Sequence, residues 1–188
     1  MRTFIGFDID DKFRRECEYL IMKGKKLYPK EIKWVEPINL HFTYLFLGEV
    51  DQSDVKIIGE MLSQLAEQVP IINLENGILK WNPPFKPQTI WMEYSLYNPD
   101  FAMVRKIFSK KLTEEIPYLK LDNKDFKFHL TLGRIKNKID INKWLLHEEV
   151  INTNTTLTQI SLYESILYPQ GPVYKNINLI KLSGGNLV

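Results

Sequence analysis

Apolar positions along this chain change their period several times, and each change marks an element. From Thr3 to Ile9 they run almost unbroken, as in a buried strand. Asp10 or Asp11 then caps a helix on which Phe13, Cys17, Leu20, Ile21 and Leu27 recur at helical spacing; Gly24 weakens it and Pro29 stops it. Glu36-Pro37 breaks the chain before a strand from Leu40 to Leu47, which Gly48 ends. Asp51 or Ser53 opens a second helix with Val55, Ile58, Met61, Leu62, Leu65 and Val69 on one face, closed by Pro70. Ile71 to Trp81 and Thr89 to Tyr94 read as two antiparallel strands, joined by a stiff, proline-bearing loop over Asn82 to Pro87. Asn98-Pro99 starts a third helix that buries Phe101, Val104, Ile107, Phe108 and Leu112 and leaves Arg105, Lys106, Lys110 and Lys111 solvated; Pro117 ends it. A polar loop, Asp122 to Asp125, leads into a further strand, and Asp140 caps a short helix carrying Ile141, Trp144 and Leu145. Two long strands, Thr156 to Leu167 and Val173 to Leu182, turn about Pro169-Gln170-Gly171-Pro172. The sum is an α+β protein with antiparallel pairing, read as a single domain over residues 1–188.

Composition narrows the function. Apolar residues make up 44% and aromatic residues 12% of the chain, which suits a packed globule. A net charge of +2 is too small for nucleic-acid binding by bulk electrostatics, so any RNA contact is expected to be local. The Lys23, Lys25, Lys26 and Lys30 cluster reads as a solvated helix end. The lone cysteine, Cys17, allows no internal disulfide and fits a reducing compartment. Phe4 to Phe7 is too short for the apolar core of a signal peptide, and no run reaches membrane-spanning length, so a cytoplasmic protein is expected.

The chemistry lies in two stretches that begin alike. His41-Phe42-Thr43-Tyr44-Leu45-Phe46-Leu47-Gly48-Glu49 and His129-Leu130-Thr131-Leu132-Gly133-Arg134 each open on His with Thr two positions later. On a strand such residues share a face. Two of the chain's three histidines open this pattern, one in each half of the chain. If the two strands face each other, two imidazoles that titrate near neutrality and two hydroxyls converge on one volume. Such a group suits acid–base chemistry on a phosphate: one imidazole takes a proton from water, the other gives one to the leaving oxygen, and Thr43 and Thr131 donate to the non-bridging oxygens. No ligand set for a catalytic metal and no glycine-rich phosphate loop is present, so neither metal nor cofactor is expected. His147, beside Glu148 and Glu149 and without a Thr partner, reads as a surface or half-buried residue.

This pair of motifs resembles the two-histidine phosphoesterases, specifically the RNA 2′,3′-cyclic phosphodiesterases, also called 2′-5′ RNA ligases (LigT-like). The resemblance extends to Met1–Ile9 as the opening strand, Lys33-Trp34-Val35 as the lead-in to the first motif, and Leu162–Ser165 with Gly171–Tyr174 as a closing hairpin. It implies a bilobal, pseudo-two-fold fold in which two antiparallel sheets flank a central cleft with helices on their outer faces. It further implies hydrolysis of a 2′,3′-cyclic phosphate on an RNA end to a 2′-phosphate, with reversible 2′-5′ ligation, by a monomeric enzyme. His41 would be the proton donor and His129 the acceptor; Phe46 would stack a base and Arg134 would supply positive charge. Strict alternation, however, turns Phe46 and Arg134 away from the histidine face, and a bulge or the strand end must bring them back. Two other readings stand beside this one: a phosphodiesterase for a small cyclic phosphate or 2′-linked nucleotide, and a non-catalytic module that binds RNA ends or nucleotides.

Overall fold

The computed structural model describes residues 1–95, 99–122, 126–144 and 148–183. In chain order the elements are β1 (Arg2–Phe7), α1 (Asp11–Leu27), β2 (Ile32–Trp34), β3 (Phe42–Glu49), α2 (Val55–Gln68), β4 (Ile72–Leu74) and β5 (Gly77–Asn82). They continue with β6 (Thr89–Tyr94), α3 (Pro99–Glu115), β7 (Phe128–Ile135), β8 (Glu148–Ile151), β9 (Thr155–Leu157), β10 (Gln159–Tyr168) and β11 (Gly171–Lys181). Two main sheets result, one ordered β11-β10-β1-β3 and the other β2-β7-β6-β5-β8, with β4 and β9 forming a separate ribbon. Every pairing is antiparallel.

Local chemistry sets the elements. The Asp10 carboxylate accepts from the Phe13 amide at 2.8 Å and starts α1. That helix lies against β2 and β7, while α2 lies against β10 and β11 and α3 against α2. Gly24 in α1 is a close-approach residue: a Cβ there would stand 2.2 Å from the Trp34 ring and 2.7 Å from that of Trp144. Between the sheets, Phe7, Phe42, Phe101, Phe126, Phe128 and Tyr44 stack edge to face or at a tilt, with centroids about 5–6 Å apart. Phe13 brings α1 into the same core through Phe42 and Tyr94.

Several expectations change. Ile71 to Trp81 is two strands, not one. Asn76 adopts φ 54°, its amide faces the Asn154 side-chain oxygen at 3.4 Å, and the chain leaves the β4–β9 ribbon there to enter the five-stranded sheet. Asn tolerates the left-handed region better than most residues, which makes the break possible. Thr156 to Leu167 divides likewise at Thr158, whose carbonyl accepts from the Leu182 amide. On α3, Ile107 is 47% exposed instead of buried. Asp140 caps only a 3₁₀ turn, Ile141–Lys143, by accepting from the Asn142 amide at 3.1 Å. Leu145, His147 and Asn98 lie outside the described residues. Among the described residues no helix is long and apolar enough to cross a membrane.

Candidate active site

The two motif strands meet. β3 is the edge of the four-stranded sheet and lies against β7 of the five-stranded one. His41 immediately precedes β3 and His129 is the second residue of β7; both line one cleft, with Thr43 and Thr131 beside them. The cleft has two arms. One, of about 710 Å³, runs past His41, His129, Thr131 and Arg134. The other, of about 1050 Å³, runs past His129, Phe126, Trp81 and Phe85. Thr43, Phe46, Asn82, Trp91 and His129 border both.

The two histidines are held in the same way. His41 Nδ1 lies 2.7 Å from the carbonyl of Asn39, and His129 Nδ1 lies 3.1 Å from that of Lys127. In each case the partner is the backbone oxygen two residues upstream. A carbonyl only accepts, so Nδ1 carries the proton in both neutral rings and Nε2 is the free base. His41 Nε2 stands 3.0 Å from Thr43 Oγ1, which therefore donates to it. Protonating His41 Nε2 removes that acceptor and releases the Thr43 hydroxyl to donate elsewhere.

Aromatic packing fixes both rings. His41 sits between Phe4 at 4.7 Å and Tyr174 at 5.0 Å, measured between centroids. Its Cδ2 rests over Gly6, where a Cβ would come within 3.4 Å of it and within 3.0 Å of the Phe42 carbonyl. Trp91 lies against His129 at 4.3 Å. This enclosure disfavours the charged rings. Burial pushes His41 down to about 4 and lowers His129 as well. One carboxylate opposes the effect at each ring. Asp8, which accepts from Ser161 Oγ at 2.7 Å and from the Tyr163 hydroxyl, favours the His41 cation. Glu93, the register partner of His129, does so for the second ring while bridging to Lys80 at 2.9 Å.

Phe46 and Arg134 return to the cleft through bulges. Ile5 pairs with Leu45 and Gly6 with Thr43, so Tyr44 is an extra residue in β3. Ile90 pairs with Gly133 and Trp91 with Thr131, so Leu132 is an extra residue in β7. Each bulge falls three positions after its histidine. Two consecutive residues, Tyr44-Leu45 in one strand and Leu132-Gly133 in the other, then turn into the core, and the phase is reversed beyond them, in β3 as far as a second extra residue at Leu47. Phe46, 59% exposed, and Arg134 consequently border the same cleft as the histidines.

Three cleft residues carried no motif. Trp91 and Glu93 follow from the alternation Thr89-Trp91-Glu93 against Ile90-Met92-Tyr94, which puts a polar face on the strand beside the second motif. Arg105, expected in solvent, instead donates from Nε to the Tyr44 carbonyl at 3.1 Å and lies over the Phe126 ring, lining the larger arm. A charged residue on a helix surface gives no sequence signal that a neighbouring strand will offer it a carbonyl. Among the described residues no group of three or more His, Cys, Asp or Glu is placed to hold a metal ion.

Comparison with known proteins agrees with this geometry. Residues 18–91 match the model of the LigT-like phosphoesterases, a segment that contains the first motif. Over 96% of its length the chain is 30% identical to an Archaeoglobus fulgidus protein named RNA 2′,3′-cyclic phosphodiesterase, all of which is covered. The chain belongs to the LigT-like phosphoesterase family. A protein of the same name from Methanocaldococcus jannaschii is 31% identical over 94% of the chain and 98% of its own length. One from Thermotoga maritima is 29% identical over 98% and 97%. The fold matches a solved structure from Thermus thermophilus with a TM-score of 0.83 at 22% identity, covering 99% of this chain and 100% of that one. It also matches Escherichia coli LigT complexed with 3′-AMP, with a TM-score of 0.71 at 21% identity over 97% and 98%. The bilobal α+β arrangement expected for the family is thus the one observed.

Proposed function

We propose that this protein hydrolyses RNA 2′,3′-cyclic phosphates to 2′-phosphomonoesters with its two histidines as acid and base. One observation carries the reading: the two His-x-Thr motifs line one cleft, and each histidine has Nδ1 held by the carbonyl two residues upstream, which leaves Nε2 as the basic nitrogen of both rings. Water attacks phosphorus as His129 Nε2 takes its proton. The P–O3′ bond breaks, and protonated His41 Nε2 gives its proton to O3′. The product is a 2′-phosphate with a free 3′-hydroxyl. Thr43, released once His41 is protonated, and Thr131 donate to the non-bridging oxygens, where negative charge builds. Phe46 supplies a face for the base and Arg134 a positive charge at the cleft wall. A 5′-hydroxyl in place of water gives the 2′-5′ linkage by the same step.

The test is turnover of an oligonucleotide ending in a 2′,3′-cyclic phosphate, with the product's phosphate located by NMR. His41→Ala and His129→Ala each lower the rate by ~10²-fold or more, and the double variant is far less than multiplicatively worse, because acid and base serve one displacement. Activity survives EDTA. A 3′-phosphate product, or full activity with either histidine removed and the fold intact by circular dichroism, refutes the reading.

A further inference from the structure

The two arms of the cleft differ in charge. The larger arm holds Lys80, Arg105 and Lys127 against Glu93, Asp122 and Glu148, and Glu93 lies 2.9 Å from Lys80 and 3.9 Å from Lys127. Its cations are matched one for one by carboxylates, and its walls carry Trp81, Phe85, Trp91 and Phe126. The smaller arm holds Arg2, Lys33 and Arg134 against one carboxylate, Glu36. Among the described residues none of these three cations forms an ion pair.

Arg2 faces Glu49 across β1 and β3, but the other two cations face each other. Lys33 and Arg134 are direct register partners across β2 and β7, where like charges repel. Arg2 approaches from the other sheet, on β1, and lines the same arm as Arg134, His41 and Tyr174. Arg134 also stands beyond Thr131 on the same face of β7. A second phosphate, one unit along a chain whose end lies between the histidines, would offset part of this excess positive charge.

We infer that the smaller arm binds the phosphodiester on the 5′ side of the terminal nucleotide, so that the RNA leaves the site between Arg2, Lys33 and Arg134 while the terminal base occupies the aromatic arm. This rests on the function proposed above and names its substrate more closely: a strand with at least one internal phosphodiester, bound in one direction. A cyclic mononucleotide fills only half of the cleft.

The test compares three substrates with the same terminal nucleoside: its 2′,3′-cyclic phosphate alone, a dinucleotide ending in that cyclic phosphate, and the same dinucleotide with a neutral methylphosphonate as the internal link. The charged dinucleotide is expected to exceed the other two by about tenfold or more in kcat/KM, with the steepest salt dependence. In the Arg2→Gln/Lys33→Gln variant this preference shrinks toward unity; both side chains are exposed, and melting curves verify the fold. Equal kcat/KM for the charged and neutral links, or a preference unchanged in the variant, overturns the inference. Calorimetric binding of dinucleotides ending in a 2′-phosphate, with charged and neutral links, supplies a readout independent of turnover. Absence of turnover with all three substrates defeats the catalytic reading alone. A charge-dependent affinity lost in the variant still upholds the basic arm, and equal affinities overturn it.

Discussion

His41 must be protonated to act as an acid, yet in the free protein burial holds it at about 4. At pH 7 it is then charged about one time in a thousand, a deficit of ~4 kcal/mol at ~1.36 kcal/mol per pH unit. A singly charged phosphate ~4 Å from the ring contributes ~4 kcal/mol at an effective dielectric constant of ~20. The two quantities match, so in the proposed mechanism the arriving substrate would itself supply the field that protonates His41. Histidine-labelled protein titrated by NMR tests this. Free, His41 should titrate near 4; with saturating nucleoside 2′-monophosphate it should rise by ~2 units or more, with apparent values shared by the histidine pair. Asp8→Asn should lower the free value further, because the Asp8 carboxylate favours the cation. In kinetics, the alkaline limb of kcat/KM, which reports the free enzyme, should fall at lower pH than that of kcat. A free His41 that titrates at about 6.5, the ordinary imidazole value, or one that the nucleotide leaves unmoved, refutes the reasoning.

Stability should fall on the acid side. Because folding depresses the His41 value from 6.5 to about 4, the unfolded chain takes the proton first; this group's contribution is full above pH 6.5 and declines by ~3 kcal/mol as pH falls to about 4, with His129 acting in the same sense. Denaturant melts across that range, flatter in His41→Gln, check this. Gly24→Ala should destabilise by ~1–3 kcal/mol, since the added methyl overlaps the Trp34 and Trp144 rings, and urea unfolding at neutral pH measures it. Thr43→Val and Thr131→Val should lower kcat by less than the loss of either histidine, each removing one hydrogen bond to developing charge while leaving both proton transfers in place.

The sequence made the helices legible because their caps and apolar stripes are local: Asp10, Pro29 and Pro70 act within a turn of themselves. It also made the histidines and threonines legible, because spacing by two survives on any strand. The breaks at Asn76 and Thr158 were not legible, since the choice between two sheets depends on which distant strand is free to pair. Nor was the contact of Arg105 with Tyr44 and Phe126, which only the docking of α3 creates. Phe46 and Arg134 fall in between. The family pattern placed them at the site, the alternation rule contradicted it, and the bulges at Tyr44 and Leu132 explain why the rule fails.

Those bulges also limit how the chain can vary in length. The interval from His41 to Phe46, and likewise from His129 to Arg134, holds one residue more than a regular strand would use to span it. Deleting Tyr44 or Leu132 would leave a smoother ladder with better alternation, and would swing the fifth residue and all that follows it to the opposite face. Loss of a single codon there would therefore be harsher than most substitutions at the same positions.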